Sequence, residues 1–256
     1  MLGLLTGVLS GALGVGGAII STPGIRALGV PALIAIGTTL PSIVPAAVSG
    51  GLRYGREGLI DWGAAAFTIP LGMVGAVGGA LLSQVVPGEG HLLQLMTAGL
   101  LGLSAWRTFR GAGPEAGEDP PGGGGPPGGA SGCRAPGRFV GVGLVAGGLS
   151  GLLGIGGGLV LVPGLNQVAG LGLRTSVATS LVCVGAFAVP GTIAHGMVGN
   201  IDWRVALLLA VTVVPGARLG AAASLRLGER RLAQTVGAFL GLIAVVYAAG
   251  EVAALA

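Results

Sequence analysis

GLLTGVLSGALGVGGAIISTPG, residues 3–24, returns as GLVAGGLSGLLGIGGGLVLVPG at residues 143–164. Twelve of the 22 positions are identical, among them Gly11, Gly14, Gly16, Gly17 and Pro23 against Gly151, Gly154, Gly156, Gly157 and Pro163. Both copies are apolar enough for a buried helix. Yet each carries a glycine run that costs helix stability, about 1 kcal/mol per residue relative to alanine. Duplicated, interrupted apolar helices are hard to place in a soluble fold. They suit a membrane protein in which broken helices from two repeats face one another across a substrate site.

The composition agrees. Of 256 residues, 9% are charged and 52% hydrophobic, with a mean hydropathy of +0.89. A soluble domain carries about 25% charged residues. Apolar runs of roughly 20 residues, enough to span a hydrocarbon core, recur along the chain. The 55 glycines fit close backbone packing between membrane helices. Gly75/Gly79 and Gly216/Gly220 place Gly-xxx-Gly pairs at corresponding points of the two halves, to be read as helix contact surfaces. All 13 basic residues are arginine, which belongs to loops of a membrane protein and not to a nucleic-acid surface. Cys133 and Cys183 form no metal or disulfide pattern. The apolar start has no basic residue before Arg26 and recurs deep in the chain, so it reads as structure and not as a cleaved export signal.

Eight apolar segments follow from this reading: 2–23, 31–52, 62–83, 91–107, 139–163, 173–194, 203–224 and 232–250. The expected fold is all-α and polytopic, with about eight transmembrane segments in two repeats of four. Residues 1–110 form the first repeat and 138–256 the second. Residues 111–137, rich in Gly and Pro, form a flexible linker. Thr38-Thr39 corresponds to Thr179-Ser180, and Ile60-Asp61-Trp62 to Ile201-Asp202-Trp203. Each Asp-Trp pair is expected to anchor the membrane interface, with the Asp capping the next helix. An even number of crossings per repeat would leave the halves parallel and an odd number would invert them. Whether the glycine-broken segment crosses or enters and returns is open at this level.

Exposed peptide groups in hydrocarbon cost several kcal/mol each, so the breaks must be buried in protein or line a polar cavity. A helix restarting after a break offers N–H donors with partial positive charge to an anion. The candidate substrate ligands are therefore Gly14, Gly16, Gly17, Gly154, Gly156 and Gly157. The hydroxyls Thr38, Thr39, Thr179 and Ser180 join them, unless they bond back to the preceding turn. Arg218 lies inside a span where Val77 is its counterpart. It is either an anion partner or a side chain snorkelling to the interface. His195, the counterpart of Tyr54, could relay protons or simply end a helix. No catalytic motif, metal-ligand cluster or cofactor-binding signature occurs, so neither an enzyme nor a cofactor is expected. A Ser–His intramembrane hydrolase would need Ser10 or Ser150 beside a histidine.

The double signature resembles the sulfite exporter TauE/SafE family of permeases. Leu9 to Gly17 with Pro23, and Leu149 to Gly158 with Pro163, carry the likeness. Ala178-Thr179-Ser180, Gly-Asn-Ile-Asp-Trp at 199–203 and Gly216-Ala-Arg-Leu-Gly220 add to it. The first copy departs from the second in having Ala18 for Gly158 and Val77 for Arg218. The resemblance implies transport of small organic or sulfur-containing anions across the bacterial inner membrane. The expected function is a secondary transporter, with a passive anion channel of the same architecture as the alternative. The expected partners are a small anionic substrate and the bilayer, not nucleic acid, and homo-oligomerisation is left open. Under eight crossings the arginines divide seven to five, placing the N-terminus and the linker in the cytoplasm.

Overall fold

The computed structural model describes residues 1–26, 29–82, 136–153 and 157–228, with isolated positions at 99, 102 and 106 and between 231 and 245. The linker, the glycines at 154 and 156, and most of the segments expected at 91–107 and 232–250 lie outside the described residues. The regular elements are α1 (Leu2–Leu13), α2 (Ala18–Arg26), α3 (Ala32–Arg56), α4 (Trp62–Leu82), α5 (Pro136–Leu153), α6 (Gly158–Pro163), a π-helical turn (Gly164–Val168), α7 (Leu173–Met197) and α8 (Trp203–Arg226). All are helical, as the composition requires.

Four helices, α3, α4, α7 and α8, are long and apolar enough to cross a membrane. At 21 to 25 residues they measure roughly 31–38 Å. The helix starts after the two inner loops are capped as expected. Asp61 Oδ1 accepts from the Ala64 N–H at 2.9 Å, and Asp202 Oδ1 from those of Arg204 and Val205 at 3.0 and 3.3 Å.

The glycine-broken segments enter and return. α1 has 12 residues, about 18 Å, half a bilayer. It stops where Gly14 adopts φ 67° and its N–H bonds to the Ser10 carbonyl at 3.0 Å. That left-handed position excludes most side chains. α2 then runs back along α1: a Cβ at Gly17 would lie 2.5 Å from the Thr6 methyl, and one at Gly24 2.7 Å from the Leu2 side chain. The second copy turns back too, from Gly157 beside the Ala146 carbonyl to Gly164 beside Val142.

The equivalent helices α3 and α7 cross antiparallel. Leu40 packs on Gly191, Ala47 on Gly185 and Leu181 on Gly50. The first and third of these contacts are the same contact seen from the two repeats. The halves are thus inverted, the outcome expected of an odd number of crossings, since a re-entrant hairpin adds none.

Each hairpin is held by the other half. α1 lies parallel to α8, where a Cβ at Gly7 would come within 2.3 Å of the Val213 carbonyl oxygen and one at Gly11 within 2.1 Å of that of Ala217. α5 lies parallel to α4 in the same manner, where a Cβ at Gly147 would come within 1.9 Å of Gly72 O and one at Gly151 within 1.9 Å of Ala76 O. The Gly75/Gly79 and Gly216/Gly220 pairs are the receiving surfaces, confirming their reading as contact faces. No side chain fits between these backbones. Gly147→Val is therefore expected to abolish a monodisperse peak in size-exclusion chromatography. Gly141→Ala, whose Cβ would meet open space, should behave as the unmodified chain.

Candidate functional site

The two hairpin tips meet within the helical body. A Cβ at Gly158 would lie 2.5 Å from Val15 Cα, so the backbones of the opposing hairpins touch there. Around them Leu13, Val15, Ile19, Ile36, Leu152, Leu159 and Leu232 form one buried apolar cluster. A small cavity of about 10 Å³ opens on the first tip, beside Thr6, Ser10, Gly16 and Gly17, with Phe239 on its wall. That is space for roughly one water molecule.

The structure places several expected ligands here. Gly14, Gly16 and Gly157 all take positive φ, at 67°, 71° and 66°, and Gly17 begins the turn into α2. The first break therefore leaves the helical ladder, as its sequence requires. Its exposed carbonyl is met from the other repeat: Ser180 Oγ donates to Gly14 O at 2.9 Å and lies equally near Val177 O. Gly154 and Gly156 lie outside the described residues.

Thr38 and Thr179 make bonds between the two halves. Asp202 N–H donates to Thr38 Oγ1 at 2.9 Å, and Asp61 N–H to Thr179 Oγ1 at 3.0 Å. These are one bond repeated by the inversion. Each threonine ties the start of a long helix to the start of one from the other half. Thr39 bonds back to the Ile36 carbonyl at 2.9 Å and sits 3.4 Å from the Thr22 hydroxyl. All four hydroxyl side chains are buried. Arg218 stands apart. Its side chain is exposed, turned away from the Gly216/Gly220 contact with α1.

Sequence reasoning passed over Tyr54. Its hydroxyl donates to the Gly11 carbonyl at 2.7 Å and pairs with Ser224 Oγ, fixing α3 to both α1 and α8. The available signal was its alignment with His195, which the structure buries against the Gly151 backbone at the corresponding place. The hydroxyls of Ser10 and Ser150 and both ring nitrogens of His195 are buried without a hydrogen-bond partner. The serine–histidine pair that a hydrolase would need is thus not made among the described residues.

An inverted pair of half-molecules, each presenting a re-entrant hairpin to the centre, is the construction of a membrane transporter. The comparisons agree. The model of the family described as Sulfite exporter TauE/SafE matches residues 1–247, and the chain belongs to that family. It is 30% identical over 222 residues to the "Probable membrane transporter protein YdhB" of Bacillus subtilis, covering 85% of each chain. It is 26% identical over 249 residues to a "Probable membrane transporter protein" of Xylella fastidiosa, covering 96% of this chain and 90% of that one. No solved structure matches the chain significantly.

The crossed threonine bonds generate a test. Removing a buried acceptor leaves an N–H unpaired, at a cost of about 1–3 kcal/mol. Thr38→Val and Thr179→Val should each lower the thermal midpoint in detergent by several degrees, while Thr38→Ser and Thr179→Ser retain most of it.

Proposed function

We propose that this membrane transporter is a secondary permease for small anions, of the sulfite, sulfonate and related organic-anion class, acting in the bacterial inner membrane. One observation carries the reading: two re-entrant tips, with Gly14 and Gly16 of one and Gly157 of the other at positive φ, abut between antiparallel repeats. Such a contact can part toward either side of the membrane while the site stays in place, which is alternating access. α2 restarts within the bilayer, and its first N–H groups precede any helical acceptor. They carry partial positive charge toward a bound oxyanion. With space for about one water at the tip, the arrangement corresponds to a closed state. Ser180, bonded to the Gly14 carbonyl, joins the moving hairpin to the opposite repeat. Gly14, Gly16 and Gly17 are proposed to face the substrate. Thr38 and Thr179 hold the frame.

The inversion also changes the proposed orientation. Among the described residues, Arg53, Arg56, Arg138, Arg174 and Arg226 end on one side with the approach to α5, and Arg26 and Arg204 on the other with the start of α1. Arginine excess marks the cytoplasmic face. The linker side is therefore proposed to be cytoplasmic and the start of α1 periplasmic. This parts the two from the shared location that eight full crossings would give them.

Flux of radiolabelled sulfite and sulfonates into proteoliposomes tests the substrate class. Saturable uptake accelerated by the same anion inside is expected; conductance without such counterflow would instead describe a channel. For orientation, Val198→Cys and Glu57→Cys are compared in a chain lacking its own cysteines. An impermeant maleimide should label Val198→Cys in intact cells and Glu57→Cys only after permeabilisation.

A further inference from the structure

Four of the buried serines in this fold bond to a carbonyl three or four residues back. Ser21 reaches Gly17 O, Ser42 reaches Thr39 O, Ser180 reaches Val177 O and Ser224 reaches Ala221 O, at 2.7 to 3.1 Å. That bond is available to any serine in a helix. Ser10, in the last turn of α1, does not make it. The residue is 1% exposed, its Oγ has no partner, and it lines the small cavity at the first tip together with Gly16 and Gly17. Its counterpart Ser150 repeats the pattern, 1% exposed and unpartnered, with its Cβ 3.1 Å from where a Cβ at Gly157 would stand. An unpaired buried hydroxyl is unfavourable unless a ligand completes it.

The cavity lies at the beginning of α2, a helix of nine residues. The first bonds inside it come from the Ile20 and Ser21 N–H groups to Gly17 O. The Gly17 and Ala18 N–H groups therefore precede any helical acceptor, and Gly17 lines the cavity beside Ser10. The remaining walls are apolar: Leu9, Val15, Ile19, Ile20 and Phe239. No arginine is among the lining residues.

We propose that Ser10 is a substrate ligand, donating a hydrogen bond from its hydroxyl to an oxygen of a singly charged oxyanion seated at the start of α2. This rests on the anion-transport reading above and adds charge selectivity to it. Neutral donors and a helix end supply only a fraction of a unit charge, while the cost of desolvating an ion rises steeply with its charge. Such a site holds a monoanion, such as an alkylsulfonate or hydrogensulfite, and rejects a strongly hydrated dianion such as sulfate.

The test uses the full chain in membrane vesicles, with Cys133→Ser and Cys183→Ala as background and Ser10→Cys added. Two methanethiosulfonate reagents are compared, one bearing an ethylsulfonate and the other an ethyltrimethylammonium group. The sulfonate reagent should label this variant about tenfold faster than the cationic one, the scale of electrostatic selection at a site. Methanesulfonate should slow the labelling severalfold, and sulfate at equal concentration should leave it unchanged. No labelling from either side of the membrane would overturn the proposal, as would labelling indifferent to reagent charge and to methanesulfonate. Equal protection by sulfate would overturn the charge selectivity. In proteoliposomes, Ser10→Ala should raise the half-saturating sulfonate concentration severalfold in protein that remains monodisperse, and unchanged half-saturation would count against the serine. Absence of flux for every anion in the unmodified chain would defeat the transport reading, whereas the labelling result decides the ligand role on its own.

Discussion

Close backbone contact through glycine is the constraint on which the rest of the structure depends. α1, at 12 residues, reaches only half-way across a bilayer and cannot anchor itself by length, and both α1 and α5 give way to a chain that turns back. They are held because Gly7 and Gly11, and Gly147 and Gly151, bring their backbones against the carbonyls of α8 and α4. In lipid no hydrophobic force distinguishes helix from solvent, so dense packing has to supply the association. The partners are exchanged: the first hairpin rests on the second repeat and the second on the first. Neither half completes its own packing, which makes the inversion a requirement of the fold and not only a trace of duplication.

The polar bonds follow the same rule of exchange. Thr38 and Thr179 each accept from the backbone N–H of an aspartate in the other repeat, and Ser180 crosses to the Gly14 carbonyl. Every backbone group freed by a break or a helix start needs a partner where water is absent. Here the partner is often supplied from across the pseudo-twofold axis. Departures from the symmetry include Tyr54 against His195, Val77 against Arg218 and Ala18 against Gly158. Tyr54 bonds firmly to the Gly11 carbonyl, while His195 meets the corresponding Gly151 backbone without a bond of normal geometry. Tyr54 thus gives the first hairpin a side-chain bond that His195 does not make to the second.

Much of this was legible in the chain. The duplicated segment announced two repeats and two broken helices, and the Gly-xxx-Gly pairs announced contact faces. The Asp-Trp pairs announced capped starts at the interface. The ambiguity lay in side chains whose role depends on who stands opposite. A threonine in an apolar span reads equally as ligand or as structural acceptor, and Thr38 became the second only because Asp202 arrives beside it. Arg218 read equally as ligand or as snorkelling side chain, and the packing of Gly216 and Gly220 onto α1 turned it outward. Ser10 and Ser150 were visible as a repeated Ser-Gly. Their isolation could be seen only once every neighbouring carbonyl had been placed.

The sequence by itself determined that the chain is an all-helical membrane protein, that its halves are related, and where each apolar helix must break, because composition and glycine position act locally on length and backbone freedom. Only the tertiary structure decided that the broken segments turn back, that the halves run in opposite directions, and which buried hydroxyls are left without partners. The inversion and the exchange of hairpins between the halves depend on contacts between residues about 75 to 200 positions apart, and no local preference specifies which distant backbone a glycine or a hydroxyl will meet.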